Sequence, residues 1–449
     1  MEDTICAIST SLGVGAISII RVSGKDAIKK VNSIFSGDLI NSKSHSINYG
    51  HIVYKNEIID EVLVMLMKSP KTYTKEDIVE INSHGGYTTT NKILEILLEI
   101  GCRLAEPGEF TKRAFLNGRI NLLQSEAVNE LINAKTESKR KLCLNQIGGN
   151  LTKIIEDIRE DIIKLLANIE VNIDYPEYED NEEVTSSLLK NNLSLLAEKI
   201  VRLENNSKYG KIVSNGINIA IVGKPNVGKS SILNHLIDEE KAIVTDIAGT
   251  TRDIIEANLT LNGIELKLID TAGIRETDDV VEKIGVTKSK EQIDRADLVI
   301  LVLDGSKPLS IEDNELLSKI NEANTIILIN KNDLPLTINL NSLKYKNIIE
   351  GNVVSVDGLD NLKKKIIELF NLNEINKDLT YLSNARQIDL VHKAKNSIKN
   401  AEKSLNMNVP IDMISTDLRE CYEFLGKIIG KTYDDDVIDR LFKDFCVGK

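Results

Sequence analysis

The 449-residue sequence has no apolar run approaching the roughly 20 residues needed to span a bilayer. Its first residues also lack the basic start and long apolar stretch of a secretory signal. A cytoplasmic protein with no membrane segment is therefore expected. Cysteine is sparse: five scattered residues, an odd number with no C-x-x-C pair, suit a reducing compartment and give no metal-site spacing. Positive charge is in deficit, with 56 Lys and Arg against 68 Asp and Glu, a formal net charge of −12. That balance argues against indiscriminate nucleic-acid binding and leaves room only for a local basic surface. Internal repeats and low-complexity segments are absent. The length leaves room for about three domains of ordinary size, and a 42% hydrophobic share supports packed cores.

What the chain does contain is organised around Gly223-Lys224-Pro225-Asn226-Val227-Gly228-Lys229-Ser230-Ser231, which fits the G-x-x-x-x-G-K-[ST] phosphate loop. The run before it, Ile217 to Val222, is short, apolar and β-branched, and the run after it carries apolar residues at helical spacing. Strand, loop and helix follow in that order. Gly223 and Gly228 let backbone N–H groups turn toward a phosphate, Lys229 reaches the terminal phosphates, and the Ser230 hydroxyl suits Mg²⁺. The bare pattern arises by chance in a chain of this length on the order of once in fifty, so its partner motifs decide its meaning.

Those partners come in the order a GTPase needs. Asp270-Thr271-Ala272-Gly273 closes a strand that pairs with Ile254 to Leu261 through an Asn262-Gly263 hairpin. The Asp suits a water-mediated hold on Mg²⁺, and the Gly N–H suits the γ-phosphate. Ile326 to Ile329 then delivers Asn330-Lys331-Asn332-Asp333 from the carboxyl end of a buried strand. The Asp333 carboxylate accepts from the ring N–H and the exocyclic amine of guanine, whereas adenine presents a mismatched acceptor, which selects GTP over ATP. Ser355, in Val354-Ser355-Val356-Asp357, falls where a loop touching guanine O6 is expected, although Ala usually follows this Ser in related GTPases. Strands at 217–223, 254–261, 264–270, 297–304 and 325–331, with a closing helix at 358–370, read as an α/β P-loop G domain at 215–371.

Residues 1–117 alternate short strands (16–22, 46–54, 61–67 and 77–82) with helices (25–35 and 88–100), which reads as an α+β domain. From Ser125 the period turns helical. Leu151, Ile154, Ile155, Ile158, Ile162, Leu165, Leu166 and Ile169 line one face of a long helix. An acidic run at 175–183 reads as a solvated turn rather than a metal site, and 207–216 reads as a polar linker. Helical pattern resumes from Ala385 to the end. The expected architecture is multidomain: the α+β domain, one discontinuous all-α domain built from 118–214 and 372–449, and the G domain inserted into it.

The flanks carry a specific resemblance. The loop Asp246-Ile-Ala-Gly-Thr-Thr-Arg-Asp253 and the GTPase motifs fit several bacterial GTPases that act on RNA or ribosomes. Ile20-Arg-Val-Ser-Gly24, Glu80-Ile-Asn-Ser-His-Gly-Gly86, Ala105 to Arg119 and the terminal Phe445-Cys-Val-Gly-Lys449 narrow this, because together they resemble the MnmE or TrmE family of tRNA-modification GTPases over the whole chain.

The resemblance implies GTP hydrolysis coupled to modification of tRNA. With a flavin- and NADH-dependent partner, MnmG or GidA, the family installs an aminomethyl or carboxymethylaminomethyl group on C5 of the wobble uridine, position 34. Homodimers through the N-terminal domain, a heterotetramer with MnmG and a one-carbon cofactor, 5-formyl- or 5,10-methylene-tetrahydrofolate, are implied as well. The family's folate contacts map onto Arg21, Glu80, Arg119 and Lys449, with Arg119 standing where some members carry Lys. Glu80 suits a pterin, whose amino-pyrimidinone edge offers paired N–H donors; otherwise it and Arg21 are surface charges on a strand. Cys446 is either a chemical group or a small buried hydrophobe.

In the G domain the family's GTP contacts map onto Asn226, Val227, Gly228, Lys229, Ser230 and Ser231, onto Thr245, Asp246, Ile247, Ala248, Gly249, Thr250 and Thr251, onto Asp270, Thr271, Ala272 and Gly273, and onto Asn330, Lys331, Asp333 and Ser355. Ras-like enzymes place a water-orienting Gln after the Asp-Thr-Ala-Gly motif, but Ile274 stands here with no polar atom. Glu282 matches the family's catalytic Glu, acting through a bridging water. Arg252 and Arg275 are available cations, while Asn226 offers a neutral oxygen suited to K⁺. The family completes the K⁺ site with Thr245, Ile247 and Thr250, and Thr251 joins Ser230 on Mg²⁺. The competing class of function is a GTP switch in ribosome assembly. It needs a basic RNA-binding module, and only acidic helices follow the G domain. The Lys135 to Lys141 cluster is either a tRNA contact or a solvated helix face. The amine donor, glycine or ammonium, the reactive folate oxidation state and the tRNAs read have no motif here.

Overall fold

The computed structural model describes residues 3–174, 181–239, 257–269, 293–340, 343, 345–352, 358–375, 377, 379–407, 409–432, 435–443 and 445–448. They form two compact units, one of residues 1–132, 146–193 and 396–449, the other of residues 133–145 and 194–395.

The first unit is built on a mixed six-stranded sheet. Its strands are β1 (Ile5–Ile8), β2 (Ile17–Ser23), β3 (Ser46–Tyr54), β4 (Glu57–Met67), β5 (Ile78–His84) and β6 (Arg103–Leu104), in spatial order β3-β4-β5-β2-β1-β6. All neighbours are antiparallel except β1 and β6. Period-two alternation sends Ile20, Val22, Val64, Leu66, Val79 and Ile81 to one face. There they meet α1 (Ala27–Asn32) and Ile93, Ile96 and Leu97 of α2 (Tyr87–Glu99). The β2/β5 register sets Arg21 directly opposite Glu80, so the cross-strand geometry itself brings that cation and carboxylate together.

Helices α3 (Glu109–Leu116), α4 (Leu122–Ile132), α5 (Glu137–Ile147) and α6 (Asn150–Asp174) follow. Along α6 the buried stripe is Leu151, Ile155, Ile158, Ile162, Leu165 and Ile169, at helical spacing. Ile154, read from the sequence as part of that face, is 38% exposed, because it lies one residue off the stripe and the packed helix covers only a narrow arc.

Helix α7 (Asn181–Asn215) corrects two expectations. The end of the acidic run is its first turn, and 207–215 is helix rather than linker. Its inward face there is Leu203, Ser207, Gly210 and Val213, so the helical period is carried by small residues and invisible to a hydrophobicity pattern. Gly210 is required for close approach: a Cβ on it would sit 2.0 Å from the Leu382 carbonyl oxygen.

The second unit is a doubly covered α/β sheet. Strands β7 (Ile217–Val222), β8 (Ala257–Leu261), β9 (Ile264–Leu268), β10 (Leu298–Asp304), β11 (Thr325–Asn330) and β12 (Ile348–Glu350) run in the order β12-β11-β10-β7-β9-β8. Only β8 is antiparallel, closing its hairpin with β9 at Asn262-Gly263, both in left-handed backbone. Every residue of β10 and β11 is buried, as expected for central parallel strands covered on both faces. Helices α8 (Lys229–Glu239), α9 (Ile311–Lys319) and α10 (Asp360–Leu369) belong to this unit, followed by the short α11 (Leu372–Ile375). The chain then enters α12 (Ala385–Asn406), α13 (Ile411–Ile429) and α14 (Asp435–Lys443). The fold class is thus an α+β N-terminal part, a helical part drawn from two separated stretches, and an α/β P-loop domain between them.

Candidate functional sites

The phosphate loop leaves β7 and enters α8 at Lys229, the first helical residue. Gly223, Asn226 and Gly228 all take positive φ, at 151°, 62° and 101°, a conformation that glycine adopts freely and Asn tolerates. Gly228 is also sterically required, since a Cβ there would lie 2.3 Å from the Asn330 amide nitrogen. Asn330, at the end of β11, donates from Nδ2 to the Val227 carbonyl at 2.8 Å. The next residue, Lys331, itself left-handed at φ 64°, donates from Nζ to the Asn226 carbonyl at 3.1 Å and to Asp304 at 2.7 Å. Asn330 and Lys331 thereby brace two consecutive carbonyls of the phosphate loop.

Lys229 Nζ donates to the carbonyls of Gly223 and Lys224 at 2.8 and 2.7 Å, and burial pulls its ammonium below the usual lysine range. Lys224 is tied to Asp313 at 2.7 Å and to the Ser310 hydroxyl at 2.8 Å, at the capped start of α9. A cavity of about 510 Å³ is lined by Lys229, Ser230 and Ser231 on one side and by Asn330, Lys331, Asp333 and Asn352 on another. The helix N-terminus and lysine offer positive charge for phosphates; Asp333 offers a carboxylate to a base. Volume and polarity suit a nucleotide.

A second constellation lies in the first unit. Arg21 Nε donates to Glu80 Oε1 at 2.7 Å, with both side chains largely buried. Arg21 also lies over Tyr73 and Phe110, its guanidinium carbon 5.8 and 5.6 Å from the ring centroids. Its Nη1 donates to the Gly448 carbonyl at 3.1 Å, which also accepts from the Ser9 hydroxyl at 3.2 Å. The Cys446 carbonyl accepts from Gly108 N at 3.2 Å. Phe445 and Phe442 bury against Phe115, Ile120 and Ile438. Two glycines permit this docking: a Cβ on Gly108 would lie 2.7 Å from the Phe442 oxygen, and one on Gly448 would lie 2.5 Å from the Ile8 oxygen. Arg119 stacks on Tyr73 with its guanidinium carbon 4.7 Å from the ring centroid.

Two family models match: the TrmE N-terminus over residues 4–119 and the MnmE helical domain over residues 122–446. The tRNA modification GTPase MnmE of Bacillus cytotoxicus is 51% identical over 455 residues, covering 100% of this chain and 99% of its own. That of Streptococcus agalactiae is 50% identical over 452 residues, with 100% and 98% covered. The chain belongs to the MnmE family. It is a GTP hydrolase of that tRNA modification family. A solved structure of the G domain of the T. maritima FeoB iron transporter is 25% identical, covering 34% of this chain and 98% of that one, at a TM-score of 0.24.

Of the GTP contacts that the MnmE resemblance maps onto this chain, Asn226 to Ser231, Asn330, Lys331 and Asp333 come together around the cavity or its loop. Thr245 to Thr251, Asp270 to Gly273, Glu282 and Ser355 lie outside the described residues, as does Lys449 of the folate set. Arg21 and Arg119 both lie over the Tyr73 ring, and Glu80 pairs with Arg21. Within the Lys135 to Lys141 cluster, Lys135 meets Glu265 at 3.5 Å, Lys139 donates to the Ser214 carbonyl, and Arg140 pairs with Glu137 at 2.7 Å. Much of that cluster's charge is therefore spent within the protein. Sequence reasoning missed Tyr73, Phe110, Asn352 and Asp304. For Asp304 a signal existed, a lone carboxylate closing the wholly apolar run of β10.

Proposed function

We propose that this GTPase works with a flavin-dependent partner, MnmG (GidA), to add an aminomethyl or carboxymethylaminomethyl group to C5 of the wobble uridine of certain tRNAs. The carbon comes from a one-carbon tetrahydrofolate, 5-formyl or 5,10-methylene. The assembly is a homodimer that joins the partner as a heterotetramer in the cytoplasm. The domains are 1–117, 118–214 with 372–449, and 215–371.

One observation carries the reading: Arg21, paired with Glu80, also holds the Gly448 carbonyl, so the last described residues form part of a site otherwise built by the N-terminal sheet. The chemistry suits a folate. Glu80 Oε2 has no hydrogen bond among the described residues, leaving an acceptor for the N–H edge of a pterin, while Tyr73 and Phe110 supply aromatic surface. Arg119 would meet the ligand's carboxylates, and Lys449 would close the site. The bound folate supplies the one-carbon unit.

At the nucleotide site, Ser230 and Thr251 would hold Mg²⁺. The fit for K⁺ rests on Asn226, whose carbonyl is pinned and which lines the cavity; Thr245, Ile247 and Thr250 would complete the site. A bound K⁺ supplies positive charge beside the phosphates. Glu282 would orient the attacking water through a bridging water, in a role Ile274 has no polar atom to fill.

Mass spectrometry of wobble uridines from cells lacking the protein tests the reading. The modified nucleoside should disappear and return with the unsubstituted chain but not with Arg21→Ala. Normal modification in its absence would refute the proposal in favour of a GTP switch in ribosome assembly.

A further inference from the structure

We propose that Asp304 is a positioning residue for the monovalent-cation ligand Asn226, acting through Lys331. The inference rests on the K⁺ reading above and adds to it a residue that touches neither nucleotide nor cation.

Asp304 ends β10, directly beside Asn330 in the β10/β11 register, and is 8% exposed. Its Oδ1 accepts from the Ser306 amide at 3.1 Å and from the Ser306 hydroxyl at 2.6 Å, which fixes the carboxylate. Its Oδ2 accepts from Lys331 Nζ at 2.7 Å. Burial pushes the carboxyl's pKa up, but the Lys331 and Ser306 hydrogen bonds outweigh that and hold it below the usual range, so it stays charged. A second cation, Lys307, lies 3.9 Å from the same oxygen with a largely exposed side chain, too distant for a hydrogen bond.

The same ammonium that Asp304 grips donates to the Asn226 carbonyl. Asn226 is non-glycine in left-handed backbone, a conformation that persists only when its surroundings enforce it. The adjacent carbonyl, of Val227, is held by Asn330, so the two successive peptides after Asn226 are each held by a hydrogen bond. Holding them fixes the direction of the Asn226 Cα–Cβ bond and so where its amide oxygen is delivered. Without the carboxylate, Lys331 has no reason to remain over the Asn226 carbonyl, since an exposed ammonium is better hydrated elsewhere. The phosphate loop itself would persist, because Lys229, Gly228 and Asn330 are untouched. The specific loss falls on cation affinity.

The test uses full-length protein and the fluorescence of mant-GDP with aluminium fluoride, titrated with K⁺ against Na⁺ at constant ionic strength. GTP turnover is followed in parallel. Asp304→Asn should raise the half-maximal K⁺ concentration about fivefold to tenfold, the scale of one ordinary hydrogen bond, because the carboxylate acts on Asn226 only through Lys331. Maximal signal and mant-GDP affinity in Na⁺ should stay within about twofold, the margin left by an intact phosphate loop. Asp304→Glu should recover most of the shift. Lys331→Gln, at a residue that also stands among the mapped GTP contacts, is read at saturating mant-GDP and on the K⁺ midpoint alone: the midpoint should shift similarly, and the double variant no further, because the two act in series; this arm decides the matter if Asp304→Asn fails to fold. An unchanged K⁺ midpoint in these variants, or a shift in Asp304→Asn matched by equal loss of its mant-GDP affinity in Na⁺, overturns the inference. Equal signals in K⁺ and Na⁺ for the unsubstituted protein overturn the K⁺ reading first, and the inference with it.

Discussion

Gly448→Ala isolates the docking of the last residues. Gly448 sits at φ 91°, where an L-residue is disfavoured by about 1–2 kcal/mol. Its new Cβ would fall 2.5 Å from the Ile8 oxygen and 3.0 Å from the Ser9 Cα, both backbone and unable to swing away. Relief requires moving the segment off β1, which breaks the bonds from Arg21 and Ser9 to the Gly448 carbonyl. The first is charge-assisted and contributes about 1.5–3 kcal/mol, the second about 0.5–1.5 kcal/mol. Those bonds oppose release, and against them the backbone strain shifts the equilibrium toward release by roughly tenfold. Arg21 and Glu80 stay paired, since their contact is fixed by strand register. Hydrogen exchange at the amides of 445–448 should therefore accelerate about tenfold while the β2/β5 amides keep their protection. Wobble-uridine modification should fall and GTP binding remain. Deleting the last five residues should abolish modification with GTP binding intact. Unaltered exchange together with normal modification in Gly448→Ala would refute the reasoning, because it would mean the docked segment contributes nothing to the site.

Three further expectations follow from other residues. Asn226→Ala should make hydrolysis slow and equal in K⁺ and Na⁺, measured by phosphate release; a retained K⁺ preference would remove Asn226 from the cation site. Asp333→Asn should weaken mant-GDP binding by about tenfold to a hundredfold, the scale of a lost charge-assisted hydrogen bond to a base, as read by fluorescence titration. Glu109 is buried, which raises its carboxyl pKa, but Arg103 and Arg113 and the Glu106 amide outweigh burial and hold it below the usual range. A depressed folded-state pKa contributes stability in full above the ordinary carboxyl value of about 4.3 and loses it as pH falls through the lower folded value. Acid unfolding should therefore steepen below about pH 4, and Glu109→Gln should remove that component from melting curves taken across the range.

The sequence made the nucleotide loop legible because its chemistry is local: two glycines, a lysine and a serine must follow one another for backbone N–H groups to converge on a phosphate. Strands β7, β10 and β11 were readable for a related reason, since parallel strands covered on both faces need unbroken apolar runs. The docking of 445–448 was not readable from spacing, because its partners Ser9, Arg21 and Gly108 are more than 300 residues away in the chain and no local pattern encodes such a contact. The end of α7 was misread for the opposite reason. Its inward face uses Ser207 and Gly210 to let backbones approach, and small residues leave no hydrophobic period.

The nucleotide site joins base reading to loop geometry in one step. Asn330 and Lys331 brace the carbonyls of Val227 and Asn226, so the motif expected to discriminate the base also holds the phosphate loop in its left-handed turn. Asp333, two residues beyond Lys331, lies in the same short segment. A base that pulled Asp333 out of place would strain Lys331, already left-handed, and through it the loop that carries Asn226. On the proposed reading, a wrong base would be penalised at the phosphate end as well as at its own edge. That coupling needs no moving part, only two strand ends, β10 and β11, held in register.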